Sequence, residues 1–257
     1  MSHPKTIRGW MWPAIAAISG YFLSKSALAK FLGLGILVLP HEFGHAFAAW
    51  AGSTPAVPTL LFQTFALDRM SPVFGALYFL VLAYCLIRSL RKGCEFLAFL
   101  CLGLITLSVK LTFFSTHHQR AHAFVIGGIA GHLILCGIFV SSFFYKVSEH
   151  PSWRINRYVL LFWGFFGLFY GLETWVGTSH NLELLPLGSV WGGSGDENGD
   201  IQRLLSEFGW SPQGIARKMS HLCLSIFGAI TIQYVFFLKK EWSGGRLASA
   251  SEPGDSE

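Results

Sequence analysis

Charge is what this sequence has least of. Only 13% of its 257 residues are Asp, Glu, Lys or Arg, against about 25% in ordinary soluble domains. That scarcity argues against a soluble globular protein. With 52% hydrophobic residues and a mean hydropathy of +0.48, it points to a lipid environment. The sequence also lacks a Cys-x-x-Cys pair. Cys85, Cys94, Cys101, Cys136 and Cys223 all lie in or beside apolar stretches, so neither a disulfide framework nor a cysteine zinc site is indicated. No internal repeat is evident. The net charge of +5 suits cationic membrane loops and is no argument for a nucleic-acid partner.

What is present is a series of apolar runs. A helix needs about 20 mostly apolar residues to span a bilayer. Segments 31–51, 72–87, 95–114, 121–145, 158–177 and 215–238 qualify, and 10–23 is a short seventh. This last run is read as mature structure, because no small-x-small exit precedes Lys25. Backbone polar groups in hydrocarbon must be satisfied within the element, so the spans are helices. The expected fold is all-α and polytopic, with six or seven transmembrane helices in one domain over 1–242 and a disordered tail over 243–257.

Arg88, Arg91 and Lys92, then Lys146, Arg154 and Arg157, then Lys239 and Lys240 fall on one side by alternation. The positive-inside rule makes that side cytoplasmic. The same alternation puts Lys5 and Arg8 on the opposite side. Either the first segment does not fully cross, or residues 56–67 re-enter the membrane.

Within segment 31–51 stands His41-Glu42-Phe43-Gly44-His45. Histidines four apart share one face of a helix and can bind one zinc ion, with the intervening Glu42 placed to act as general base. Gly44 leaves room for close approach of another backbone. Ionisable residues inside a membrane helix mark function by default. A catalytic zinc takes a third protein ligand. Asp200, which opens a short helix candidate at 201–208 after a glycine-rich loop (191–200), is the first choice, and Asp196 is the competitor.

Residues 41–49, His-Glu-Phe-Gly-His-Ala-Phe-Ala-Ala, resemble the signature helix of the site-2-protease family of intramembrane zinc metallopeptidases, and within it the compact bacterial branch without a PDZ domain. Val125-Ile-Gly-Gly-Ile-Ala-Gly-His-Leu, Gly199-Asp200-Ile-Gln-Arg-Leu-Leu and Gly209-Trp-Ser-Pro212 are similar to later segments of that branch. The resemblance implies Zn2+ held by His41, His45 and Asp200, water activated by Glu42, and a membrane-embedded or juxtamembrane protein or peptide as substrate. It also implies residence in the bacterial cytoplasmic membrane. The Asn-Pro…Leu-Asp-Gly motif of better-known members is absent from this chain.

Four further features bear on function. His117, His118 and His122 are a second histidine cluster, either an interfacial group or a second metal centre. In the latter case the chain would be a membrane di-iron desaturase or hydroxylase acting on lipid. Gly127, Gly128 and Gly131 suit close helix packing or a substrate groove. Glu173 within a span expects a histidine or Arg partner, a polar cavity, or a snorkelling place near the helix end, and Asn181 is a turn residue or a substrate contact. A non-catalytic membrane partner subunit that keeps the motif is the third functional class.

Overall fold

The computed structural model describes residues 10–59, 63–67, 69–145, 147, 152–188 and 196–250. Within them the regular structure is helical apart from one β-hairpin. The helices are α1 (Met11–Lys25), α2 (Ala27–Leu32), α3 (Leu34–Ala51), α4 (Pro72–Arg91), α5 (Glu95–Phe113), α6 (His117–Ser142), α7 (Trp153–His180), α8 (Asp200–Ser206) and α9 (Pro212–Ala250). Five of them, α4, α5, α6, α7 and α9, are long and apolar enough to cross a membrane. The tail expected from Ser243 is helical as far as Ala250, and residues 251–257 lie outside the described set, as do 189–195 of the glycine-rich loop.

Local signals set the helix ends. Ser71 accepts from Phe74 N at 3.2 Å and Pro72 takes the first position of α4, where its missing N–H is harmless. Thr116 and Gln119 form a reciprocal capping box on α6. Gly93, with φ +65°, makes the tight α4–α5 turn.

The path of the first three helices bears on the charge conflict, although Lys5 and Arg8 lie outside the described residues. The helix α1 runs alongside α7 in the same direction: Trp12 meets Tyr158 (ring centroids 5.1 Å apart), Tyr21 meets Phe169 (5.7 Å), and Lys25 reaches Glu173 (3.6 Å). Ser26 then breaks the helix in an extended conformation and caps α2 by accepting from Ala29 N. On the short return Lys30 also reaches Glu173, at 3.1 Å. From Gly33 the chain reverses again, and α3 runs antiparallel to α6: Leu37 lies against His132, Gly44 against Gly127 and Gly131, and Gly52 against Arg120. Thus α1 to α3 traverse the bundle once between them.

Trp10, which follows Lys5 and Arg8 in sequence, lies at the same end as the C-terminal half of α9, its carbonyl accepting from Tyr234 Oη at 2.9 Å. Phe143 meets Phe237 there, and Tyr145 stacks on Phe96. Among the described residues, the cationic side chains of Arg88, Arg91, Lys92, Arg157 and Lys239 therefore gather at one end of the molecule.

The core lies where α6, α7 and α9 meet. Toward the other end it joins Val125, Ile129 and Leu133 to Trp175, Ile215, Met219 and Cys223, with Ile201 and Leu204 of α8 closing it. Toward the cationic end Cys136, Val140 and Phe143 pack with Leu161, Phe165, Leu168, Ile230 and Ala16. Four of the five cysteines are buried, Cys85 is half-buried, and all are free. Large apolar side chains such as Leu77, Leu80, Phe99 and Phe236 face outward, as on a lipid-facing surface.

Segment 56–67, where re-entry into the membrane is one expectation, contains the hairpin. Strands β1 (Ala56–Thr59) and β2 (Gln63–Ala66) pair antiparallel, Ala56 with Ala66 and Thr59 with Gln63. Trp50 Nε1 donates to the Ala56 carbonyl at 2.8 Å, tying the hairpin to the end of α3.

Candidate metal centre

The centre forms on α3, the helix pressed closest to α6. At Gly44 an added Cβ would run into the Gly127 carbonyl and the Gly131 Cα, so both helices need glycine at the crossing. This contact sets the level of the two histidines flanking Gly44. Gly128 has a separate task, because a Cβ there would strike the His45 and His41 rings. The small-residue patch thus serves close packing and makes room for the imidazoles.

His41 Nε2 and His45 Nε2 are 3.2 Å apart on one face of α3. Asp200, at the first position of α8, directs Oδ2 between them, 2.9 Å from His41 Nε2 and 3.0 Å from His45 Nε2. All three ligand atoms lie within 4.8 Å of one another, and among the described residues no other group of three His, Cys, Asp or Glu converges this way. Asp200 does not cap its own helix; Gly199 holds that position without a side-chain bond. An added Cβ at Gly199 would strike the Gly188 backbone, so this glycine lets the loop close tightly and deliver Asp200 to α3.

The surroundings suit a cation. Burial alone would push the Asp200 carboxyl up, but the two imidazoles, when they carry their Nε2 protons, outweigh it and hold the group below the usual carboxylate range, and a bound cation would take the place of those protons. His45 Nδ1 donates to the Phe124 carbonyl of α6 at 2.8 Å. That bond leaves Nε2 as the free ligand atom, the arrangement usual for a metal-binding histidine. Two imidazole nitrogens and one carboxylate oxygen match the ligand types of a three-residue catalytic site with one open position.

Glu42 is buried, at 5% exposure. Thr64 Oγ1 of β2 lies 2.7 Å from Glu42 Oε2 and 2.9 Å from the Glu42 carbonyl oxygen, so its single proton holds the hairpin to this residue. Sequence reasoning missed both Thr64 and the Phe124 carbonyl. No pattern flags either, because both contacts depend on tertiary approach.

The remaining candidates lie elsewhere. His117 and His118 are exposed at the start of α6, and His122 packs on Phe208 and Trp210. The three assemble no second centre among the described residues. Asp196 accepts from Asn198 N at 2.9 Å, within a turn. Asn181 caps the 3-10 turn at 182–184 by accepting from Glu183 N. Glu173 pairs with two lysines, Lys25 and Lys30, rather than with a histidine or Arg. No protein-family model, curated protein or solved structure matches the chain.

Proposed function

We propose that the protein is a zinc-dependent intramembrane metallopeptidase, hydrolysing a peptide bond of a substrate held in or at the membrane. The observation that carries this reading is the convergence of His41, His45 and Asp200 from two distant helices, with a buried glutamate, Glu42, directly following the first ligand in sequence. Zinc, when bound by these three residues, supplies polarisation of the scissile carbonyl and a more acidic water. Glu42 takes a proton from the attacking water as the oxygen–carbon bond forms. It returns that proton to the amine as the carbon–nitrogen bond breaks. Thr64 holds one of its carboxylate oxygens, leaving the other for this transfer. Phe124 fixes the tautomer of His45. By the positive-inside rule the cationic end would face the cytoplasm, and residence in a bacterial cytoplasmic membrane is part of this proposal, supported by the resemblance to the compact site-2-protease branch.

The test is metal content of the detergent-purified protein by mass spectrometry, beside His41→Ala and Asp200→Ala. About one zinc per chain, lost in both variants, is expected of a three-ligand site. In liposomes carrying membrane-spanning peptides, the wild type should release fragments and Glu42→Gln should not. Iron in place of zinc, or metal retained in Asp200→Ala, overturns the proposal. So does equal cleavage by Glu42→Gln.

A further inference from the structure

His132 is buried at 9% exposure among α3, α6 and α7, and the centre just described makes no use of it. Its Nδ1 lies 2.8 Å from the Leu37 carbonyl of α3, and its Nε2 faces the Gly167 carbonyl of α7 at 3.3 Å. Both ring nitrogens point at carbonyl oxygens, so neither is turned toward the cluster as a ligand. A neutral imidazole carries one N–H, and the shorter contact is the one it serves.

Leu37 stands one helical turn before His41. Between them is Pro40, inside α3. Proline has no N–H for the Ile36 carbonyl, and its ring crowds that carbonyl, so the turn leading into His41 cannot rely on its own ladder. His132 reaches α3 within this turn. At Gly167 a Cβ would strike Cys136 Sγ while standing in ordinary contact, 3.5 Å, from His132 Nε2, so this glycine serves the close packing of α7 on α6 beside the imidazole. The two metal-facing histidines differ in support. The His45 ring is oriented by the Phe124 carbonyl, whereas the His41 ring has no such backbone acceptor among the described residues. Its direction depends on the α3 backbone.

We propose that His132 is a positioning residue for the metal centre: its hydrogen bond to the Leu37 carbonyl braces the proline-weakened turn of α3 and so sets the aim of His41. The inference rests on the metal-binding reading above. The test compares the full-length detergent-purified wild type with His132→Leu, His132→Asn, Leu168→Ala and the double variant Pro40→Ala/His132→Leu. Zinc affinity is measured by chelator competition, and site geometry by the visible spectrum of the cobalt-loaded protein.

His132→Leu should weaken zinc binding about tenfold or more, as loss of an outer-shell support does, and alter the cobalt spectrum. His132→Asn, which keeps a donor near the Nδ1 position, should restore both. The double variant, with an N–H returned to position 40, should recover affinity relative to His132→Leu. Leu168→Ala, a buried core truncation on α7 that leaves the Gly167 carbonyl in place, should lower thermal stability and leave affinity unchanged. If His132→Leu does not fold, the Asn and double variants carry the test, and both should bind zinc nearly as the wild type does. Wild-type affinity and spectrum in His132→Leu overturn this inference alone, as does an equal loss of affinity in Leu168→Ala. A wild-type chain that takes up neither ion overturns the metal reading and this inference with it.

Discussion

Two pairs of histidines stand four residues apart on helical faces, His41 with His45 on α3 and His118 with His122 on α6. Opposite ends of one short segment meet them. Asp200, at the start of α8, closes on the first pair. Phe208, just beyond its end, lies against both rings of the second at 4.9 Å, and Trp210 lies 5.4 Å from His122. Lys218 sits 3.9 Å from the Trp210 ring centroid. The first pair therefore gains a carboxylate and the second gains aromatic rings with a cation nearby. Spacing alone gives both pairs the same capacity for metal. What separates them is what a remote helix brings, and the aromatic end of that segment helps fix where its acidic end lies.

The largest effect should come from exchanging the fates of the two pairs. His45→Ala or Asp200→Ala is expected to empty the centre of metal, whereas the double variant His118→Ala/His122→Ala should keep about one ion per chain. Metal content after gel filtration measures both. A double variant that loses its ion while remaining folded would mean that the second pair also binds or delivers metal. Next in size, Glu42→Gln should retain the ion yet lower peptide hydrolysis by roughly 10²–10⁴-fold, the usual contribution of a positioned acid–base group. A fall in metal content with activity would instead make Glu42 part of the ligand set.

The helix crossing gives a smaller effect, on stability. Gly44→Leu forces a side chain against the Gly127 carbonyl and Gly131 Cα and should destabilise the protein by about 1–3 kcal/mol, with weaker metal binding as α3 moves off α6. Gly103 of α5 has nothing within 4 Å of an added Cβ, so Gly103→Ala should stay within about 0.5 kcal/mol of wild type. Thermal unfolding in detergent compares the two. Equal shifts would mean that the close approach of α3 to α6 carries no special energy.

The same contrast explains what could be read from the sequence. His41 and His45 were legible because their pairing is local, set by helical geometry. The long spans were legible because hydrocarbon demands about 20 apolar residues. Asp200 was visible only as a helix opener after glycines; its place beside α3 depends on the tight Gly188–Gly199 approach and the packing of Ile201 and Leu204. The path of the first helices was not legible. With 15 residues, α1 is shorter than a usual span. The reversal after it brings Lys25 and Lys30 to Glu173, a residue far along the chain. The hairpin was hidden for a similar reason: four-residue strands leave too little alternation to read, and their anchor is a contact with Glu42.

That anchor yields the smallest effect and the sharpest separation between holding a metal and using it. Thr64→Val keeps the shape of the side chain and removes the hydroxyl that bonds to Glu42. A hydrogen bond to a charged group contributes about 1.5–3 kcal/mol. If roughly 1.4 kcal/mol of that is felt at the general base, hydrolysis falls about tenfold. Metal content should not change, because Thr64 touches none of the three ligands, and Thr64→Ser should restore the rate. A valine variant that cleaves like wild type would reduce the hairpin to a structural appendage of α3. A tenfold loss rescued by serine would make β2 part of the catalytic apparatus, coupled to Glu42 through one proton.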